Sequence, residues 1–109
     1  MNTKQKGKNM STQMKEKSVE FKIITDVKNE PTLSEAQKFV GGYVEGIEFP
    51  NGDYLIVNEM GKLKGLPNNE AGTKLWRETF TEDKFITGTD DWVCGNALYI
   101  KAKARKLWV

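Results

Sequence analysis

The chain has 109 residues with a formal net charge of +2, and 29% of its residues are charged while 38% are hydrophobic. This length fits one domain with a modest apolar core and excludes a multidomain enzyme. One cysteine excludes an internal disulfide, and one cysteine with no histidine makes us expect no zinc site. We also expect no other metal and no cofactor.

Residues 1–17 are predicted to form a disordered basic arm. They contain five lysines and one glutamate, and Met10 and Met14 are their only apolar side chains. Such a segment cannot bury enough apolar surface to become ordered. It is too polar for a signal peptide, and the chain contains no long apolar run. We therefore expect a single α+β domain over residues 18–109, located in the cytoplasm of a bacterial host cell and not in a membrane.

Charge is segregated along the chain. Residues 18–100 carry eight basic and fourteen acidic side chains, whereas residues 101–109 carry four basic and no acidic ones. An acidic body between basic ends keeps a small protein soluble, or it brings the ends to nucleic acid or to an acidic partner. Charge alone leaves both interpretations open.

The first predicted β-α unit covers residues 19–41. Apolar side chains alternate with polar ones from Val19 to Val27, which is the pattern of a half-buried strand. Thr32-Leu-Ser-Glu35 then has the sequence of a capping box, in which the threonine hydroxyl and the glutamate carboxylate each accept a backbone N–H. A helix of about nine residues is predicted to follow and to end at the pair Gly41-Gly42.

A β-hairpin is predicted next, with strands over residues 43–49 and 54–58. The connecting pair Asn51-Gly52 is typical of a two-residue type I′ turn. In that register Phe49 lies opposite Tyr54, and the polar pair Glu45 and Asn58 face each other across the strands.

The remaining segments complete an α+β domain. Asn69 is suited to cap a helix that carries Leu75, Trp76 and Phe80 on one face, residues 87–91 form a turn, and residues 92–100 are predicted to be the last strand. The predicted fold is a single layer of about four mainly antiparallel strands with two short helices on one face. Its β-α-β-β-α-β order is that of ferredoxin-like folds.

Three strings in the chain resemble a known family. They are Val40-Gly-Gly-Tyr-Val-Glu45, then Asn58-Glu-Met-Gly-Lys-Leu-Lys-Gly-Leu-Pro-Asn-Asn69, and later Asp91-Trp-Val-Cys-Gly-Asn-Ala-Leu-Tyr-Ile100. Together they resemble the small phage, plasmid and bacterial proteins grouped as domain of unknown function 3846. The resemblance covers roughly residues 33–100. It implies a fold and a mobile-element setting, with no established activity to transfer.

Six polar residues on the hairpin and in the loop after it are candidate binding residues. Strand parity places Glu45 with Ile47 and Phe49 on the apolar side, where an unpaired carboxylate is costly. A bulge at Gly46 that turns Glu45 toward water is the alternative interpretation. A loop with turn chemistry this specific has a fixed shape that suits packing or binding. The six candidates are Glu45, Asn58, Glu59, Lys62, Lys64 and Asn69.

The carboxyl-terminal residues indicate nucleic acid as an alternative partner. If the last strand continues past Ile100, one aromatic ring and three cations share a face, namely Tyr99, Lys101, Lys103 and Arg105. A stacking ring beside a row of cations is typical of non-specific binding to single-stranded nucleic acid. A basic tail, or a short helix held by Leu107 and Trp108, is the competing interpretation.

From these patterns we expect a non-enzymatic accessory protein of a phage or other mobile element, which acts by binding a host protein or a small molecule. The chain has no histidine, so acid–base chemistry would have to use carboxylates, lysines or tyrosines. Glu45 and Glu59 are the candidates if the protein is an enzyme. The sequence leaves the partner and the oligomeric state open.

Overall fold

The computed structural model describes residues 19–80 and 92–109. Within these ranges it has four strands, two helices and two 3-10 turns, and the predicted α+β class and β-α-β-β-α-β order are confirmed. The predicted arm over residues 1–17 and the predicted turn over residues 87–91 lie outside the described residues. The elements are β1 (Phe21–Ile24), α1 (Leu33–Val40), β2 (Val44–Glu48), β3 (Tyr54–Asn58), α2 (Glu70–Phe80) and β4 (Ala97–Ile100), with 3-10 turns at Val27–Asn29 and Ala102–Ala104.

The four strands form one open sheet in the order β1-β4-β3-β2. Strand β1 runs parallel to β4, and the β4–β3 and β3–β2 pairs are antiparallel, so the sheet is mainly antiparallel as predicted. The two central strands are buried or half-buried along their whole length, whereas β1 and β2 are largely exposed edge strands. The core therefore lies around β3 and β4.

The two helices pack on opposite faces of this sheet, which corrects the prediction that they share one face. Ala36 and Val40 of α1 pack with Ile56 of β3. Phe80 of α2 packs with Leu55 and Val57 on the other side of the same strand. Because consecutive strand residues point to opposite faces, the apolar run of β3 needs a cover on both sides. We call the two sides the α1 face and the α2 face.

The hairpin is shifted by one residue from the predicted register. The Phe49 N–H donates to the Asp53 carbonyl at 2.8 Å, which leaves a loop of three residues, and Glu48 lies opposite Tyr54. Glu45 therefore faces Val57 and not Asn58. The Gly52 N–H donates to the Phe49 carbonyl at 2.9 Å, and Gly52 has a φ of 92°. A turn followed by a left-handed glycine is the common form of three-residue hairpin loop. The type I′ prediction was wrong because Pro50 favours the second position of such a turn.

Both predicted helix caps are confirmed. The Thr32 hydroxyl accepts from the Glu35 N–H at 3.2 Å, and the Glu35 carboxylate accepts from the Thr32 N–H at 2.9 Å. At the start of α2 the Asn69 side-chain oxygen accepts from the Gly72 N–H at 3.0 Å. These short-range polar contacts fix where α1 and α2 begin.

The chain after β4 does not continue as a strand, so the condition for a shared face of Tyr99 and the three cations is not met. It turns at Ala102–Ala104 and folds back along the α1 face, where the Trp108 indole N–H donates to the Pro31 carbonyl at 2.7 Å. The turn forms because the Ala102 N–H donates to the Asp53 carboxylate at 2.7 Å and not to a neighbouring strand. Trp108 packs against the apolar cluster of the α1 face.

Candidate ligand-binding cavity

A cavity of about 190 Å³ opens on the α2 face, at the end of the hairpin away from its loop. Strands β2 and β3 form its floor, the turn after β3 forms one wall, and α2 with the segment before β4 closes the other side. Its lining combines two tryptophans, four aliphatic side chains, two carboxylates and one lysine. The lining residues are Glu45, Ile47, Val57, Asn58, Glu59, Lys62, Leu63, Trp76, Trp92, Val93 and Cys94. We call this site the α2-face cavity.

Four of the six predicted binding residues line this cavity. They are Glu45, Asn58, Glu59 and Lys62. Asn69 instead lies in the interior, where its amide N–H groups donate to the carbonyls of Glu20 and Gly95 at 3.1 and 2.9 Å. Lys64 is exposed on the turn and is not part of the lining. The structure therefore brings together the strand and turn candidates and separates Asn69 and Lys64 from them.

Glu45 lies on the α2 face as its strand parity predicts, but its side chain is exposed at the rim. The alternative of a bulge at Gly46 is wrong, since β2 pairs with β3 without interruption from Val44 to Glu48. Gly46 is needed for another reason: a Cβ there would lie 2.0 Å from the hydroxyl of Tyr54. The glycine makes room for that ring on the α1 face.

The two carboxylates of the cavity have no partner within the described ranges. Glu45 and Glu59 are both exposed, and neither forms a hydrogen bond or ion pair with another residue of segments 19–80 and 92–109 through its side chain. They stand beside the apolar side chains of Ile47 and Val57. Negative charge next to a partly apolar surface attracts cations more strongly than the same charge in open water.

Lys62 lies over the face of Trp92. Its Nζ atom is 4.5 Å from the centre of the indole ring, which is within the range of a cation–π contact. The Trp92 side chain is 46% exposed, so this contact lies at the mouth of the cavity. The aromatic wall of the cavity therefore already holds a cation that belongs to the chain itself.

Trp76 provides the inner aromatic wall. Its ring meets Phe80 at 4.6 Å and Phe49 at 6.3 Å between centroids, which fixes the indole against the core of the α2 face. Its Nε1 atom is buried and has no acceptor among the described residues. A buried N–H without an acceptor is costly, so the indole would gain from a small movement that brings it to an acceptor.

The polar groups of the Asn58 side chain are used in hydrogen bonds to the backbone that shape the cavity. Its amide N–H donates to the Val40 carbonyl at 3.0 Å, and its side-chain oxygen accepts from the Met60 N–H at 2.8 Å. These bonds join the end of α1 to the turn that carries Glu59 and Lys62. Asn58 is therefore assigned a positioning role within the cavity.

The predicted nucleic-acid surface is not formed. Tyr99 is buried on the α2 face, and its hydroxyl donates to Asp53 at 2.6 Å, so its ring is not available to stack on a base. Lys101 also contacts Asp53, at 3.1 Å. Arg105 lies over Tyr54 on the α1 face, and Lys103 sits in the exposed 3-10 turn. Because the strand ends at Ile100, the four residues share no face.

Asp53 is the centre of a buried polar cluster that the sequence did not reveal. Its carboxylate is 3% exposed and accepts bonds from Tyr99, Lys101, the Ala102 N–H and the Asn51 amide. Burial alone would raise the pKa of Asp53, but the bonds from Tyr99, Ala102 and Lys101 outweigh it and hold the pKa below its usual value. Burial and the charge of Asp53 together raise the pKa of Tyr99.

Glu30 fastens the carboxyl-terminal segment in a similar way. One of its oxygens accepts the N–H groups of Lys106, Leu107 and Trp108 at 2.8, 2.8 and 3.1 Å. Burial opposes ionisation, yet these three backbone donors hold the pKa of Glu30 below its usual value. Glu30 and Asp53 are thus structural carboxylates.

Several cavity residues were not identified as such from sequence. Trp76 was assigned to the core, and Trp92 to the start of a strand, because each stands next to a local apolar pattern. Only the meeting of the segment before β4 with α2 puts both rings in one cavity. A usable signal was the presence of two tryptophans in the segments on either side of residue 80, since tryptophan combines a large apolar surface with a polar edge.

A family model described as "Domain of unknown function (DUF3846)" matches residues 12–106. The match extends the resemblance beyond residues 33–100 at both ends, and it includes residues 12–17 of the predicted arm. Neither a curated protein nor a solved structure matches the chain. In residues 19–80 and 92–109 no helix is long and apolar enough to cross a membrane, and no three acidic, histidine or cysteine side chains are grouped to hold a metal ion.

Proposed function

This chain belongs to the family of domain of unknown function 3846, and from that premise we propose that it is a non-catalytic protein that binds a small molecule in the α2-face cavity. The observation that carries the proposal is the cavity itself, whose lining combines Trp76 and Trp92 with Glu45 and Glu59, two carboxylates that have no partner in the described part of the chain. A concave site with mostly apolar walls and a few polar groups is the usual form of a small-molecule site.

The volume of the cavity favours a small ligand over a protein surface. At about 190 Å³ it lies below the usual range for drug-sized ligands, roughly 300 to 1,000 Å³. It can hold one ring or a short branched chain, since an engineered cavity of about 150 Å³ in another protein binds benzene. A host protein would have to insert a single side chain here, which makes it the second candidate partner.

We also propose that the protein does not catalyse a reaction on the molecule that it binds. The two carboxylates stand on the exposed rim with no hydrogen-bonded partner among the described residues that would hold either as an acid or a base. The proposed cellular role, an accessory protein of a phage or mobile element acting in the bacterial cytoplasm, is supported by the sequence resemblance described above. The genes that flank this one provide its test.

A fragment screen tests the binding proposal. Small compounds would be added to the full chain while backbone and indole N–H signals are recorded by NMR. We expect the affected residues to surround the cavity. Ile47→Trp, which fills the cavity, should abolish the effect, whereas Ile23→Trp on the other edge strand should not, because Ile23 is outside the lining. If no compound binds, or if Ile47→Trp has no effect, the proposal is wrong. Recovery of each bound compound unchanged, by mass spectrometry, checks that no reaction occurs.

A further inference from the structure

We propose that the ligand of the α2-face cavity is an organic cation, a protonated or quaternary amine on a small apolar body, and that its charged group takes the place of the Lys62 ammonium. This inference rests on the proposed function and adds the ligand class to it. It also assigns Lys62 the role of an internal occupant that a ligand must displace.

The charge of the cavity supports a cationic ligand. Glu45 and Glu59 both line the site, and neither carboxylate is paired within the described part of the chain. Among the residues that the structure describes, Lys62 provides the single basic side chain of the lining, and it lies on the tryptophan face. A cation that enters gains attraction from two carboxylates, and an anion is repelled by both.

The position of Lys62 identifies where the cation would sit. Its Nζ atom lies 4.5 Å from the centre of the Trp92 ring. Tryptophan has the aromatic face that binds cations most strongly, and quaternary and methylated amines are recognised by such faces in other proteins. Lysine has a flexible stem of four methylene groups, and Lys62 itself is exposed on a turn, so a ligand can displace its ammonium at the cost of the contacts that it makes.

The walls identify the rest of the ligand. Ile47, Val57 and Val93 contribute aliphatic surface, and Trp76 adds the inner aromatic wall. An apolar body placed there is removed from water, which favours binding. A small aromatic or branched aliphatic amine satisfies both the walls and the rim, whereas a simple metal cation leaves the walls exposed.

Three probes of equal size and different charge test this inference on the full chain at pH 7. They are 2-phenylethylammonium, its neutral counterpart 2-phenylethanol, and the anion phenylacetate. Affinity is measured for each from the NMR shifts of residues around the cavity. We expect the cation to bind more tightly than the alcohol and the anion to bind least. If the alcohol binds as tightly as the cation, or the anion binds best, the inference is overturned while small-molecule binding remains. If none of the three binds, the inference and the proposed function both fail.

Two lysine variants test the role of Lys62. Lys62→Met frees the face of Trp92, so the cation should bind about two- to tenfold more tightly. Lys64→Met removes the same charge from the same turn but lies outside the lining, so it should change the affinity less than twofold. Weaker binding by Lys62→Met would mean that Lys62 holds the ligand instead, which contradicts the inference.

Glutamate variants test the carboxylates. Glu45→Gln and Glu59→Gln should each weaken binding of the cation by about two- to fivefold, as expected for loss of one exposed ion pair. Their effect on the alcohol should be absent. Glu78→Gln, on the exposed side of α2 and outside the lining, is the matched control and should leave all three probes unchanged. Equal losses for the cation and the alcohol would overturn the inference.

Discussion

The two ends of strand β3 use carboxylates in opposite ways. Asp53, just before the strand, is buried and accepts bonds from four donors. Glu59, just after it, is exposed and, like Glu45 opposite this end, has no side-chain partner among the described residues. A buried charge must be paired because its desolvation is costly, whereas an exposed one need not be. Acidic residues at the Asp53 end therefore hold the fold, and those at the Glu59 end are available to a ligand.

The largest effect is expected from Asp53→Asn. This change replaces one of the carboxylate oxygens by an N–H group, which faces the donors of Tyr99 and Lys101 instead of accepting from them. We expect the free energy of unfolding to fall by about 2–4 kcal/mol, measured by urea denaturation. Asp26→Asn, at an exposed cap, is the control and should cost less than about 0.5 kcal/mol. Equal small losses would remove the contrast between the two ends of β3.

A smaller loss is expected from Glu30→Ala, because its three donors lie near the end of the chain. We expect the free energy of unfolding to fall by about 1–2 kcal/mol. The amides of Lys106, Leu107 and Trp108 should lose protection from hydrogen exchange, while those of β4 keep it. Full protection of the three amides in the variant would show that Glu30 does not hold this segment.

Acid should act on the same two carboxylates. The pKa values of Asp53 and Glu30 lie below their ordinary values of 3.8 and 4.5 in the folded protein, so protons bind more tightly to the unfolded chain. Their stabilising effect is complete above those ordinary values and is lost as the pH falls through the lower folded ones. Urea midpoints between pH 6 and pH 2 should fall mainly below about pH 4.5. The fall should be shallower in Asp53→Asn, and an unchanged slope would argue against this assignment.

The smallest effect on stability is expected at the cavity. Glu45→Gln and Glu59→Gln should each change the free energy of unfolding by less than about 0.5 kcal/mol, because neither carboxylate has a partner to lose in residues 19–80 and 92–109. The measurement is the same urea denaturation as for Asp53→Asn. A loss above about 1 kcal/mol in either variant would place that carboxylate among the structural ones.

Local features of the fold were predictable from the sequence. The capping box at Thr32, the cap at Asn69 and the strand over residues 54–58 depend on residues close together in the chain, and all three are found. Their chemistry is short-ranged, so no knowledge of the tertiary structure was needed. The hairpin register failed by one residue because Pro50-Asn51-Gly52 suits a three-residue loop as well as the shorter turn.

The placement of the two helices on opposite faces of the sheet was also indicated by the sequence, in the two central strands. The runs Leu55-Ile-Val57 and Ala97-Leu-Tyr-Ile100 are apolar without alternation, which is typical of strands covered on both faces. That pattern favours helices on opposite faces. Three of the four donors to Asp53 are separated from it by 46 to 49 residues, so no local pattern could indicate them.

Part of the candidate site was predictable because several of its residues come from one continuous segment of the chain. Glu45, Glu59 and Lys62 were identified from one continuous hairpin and turn, and the structure places them at one cavity. The aromatic walls come from two other segments, α2 and the residues before β4. Their meeting depends on the long-range packing of the α2 face, which the prediction of both helices on one face did not contain.

The three tryptophans allow the most direct test of the difference between the two ends. Trp76 and Trp92 line the cavity, whereas Trp108 lies on the α1 face with its indole N–H bound to Pro31. In an NMR titration with 2-phenylethylammonium, we expect the indole N–H signals of Trp76 and Trp92 to shift with one common affinity while that of Trp108 stays fixed. A shift of Trp108 alone, or no shift of Trp76 and Trp92 at millimolar probe, would contradict this expectation.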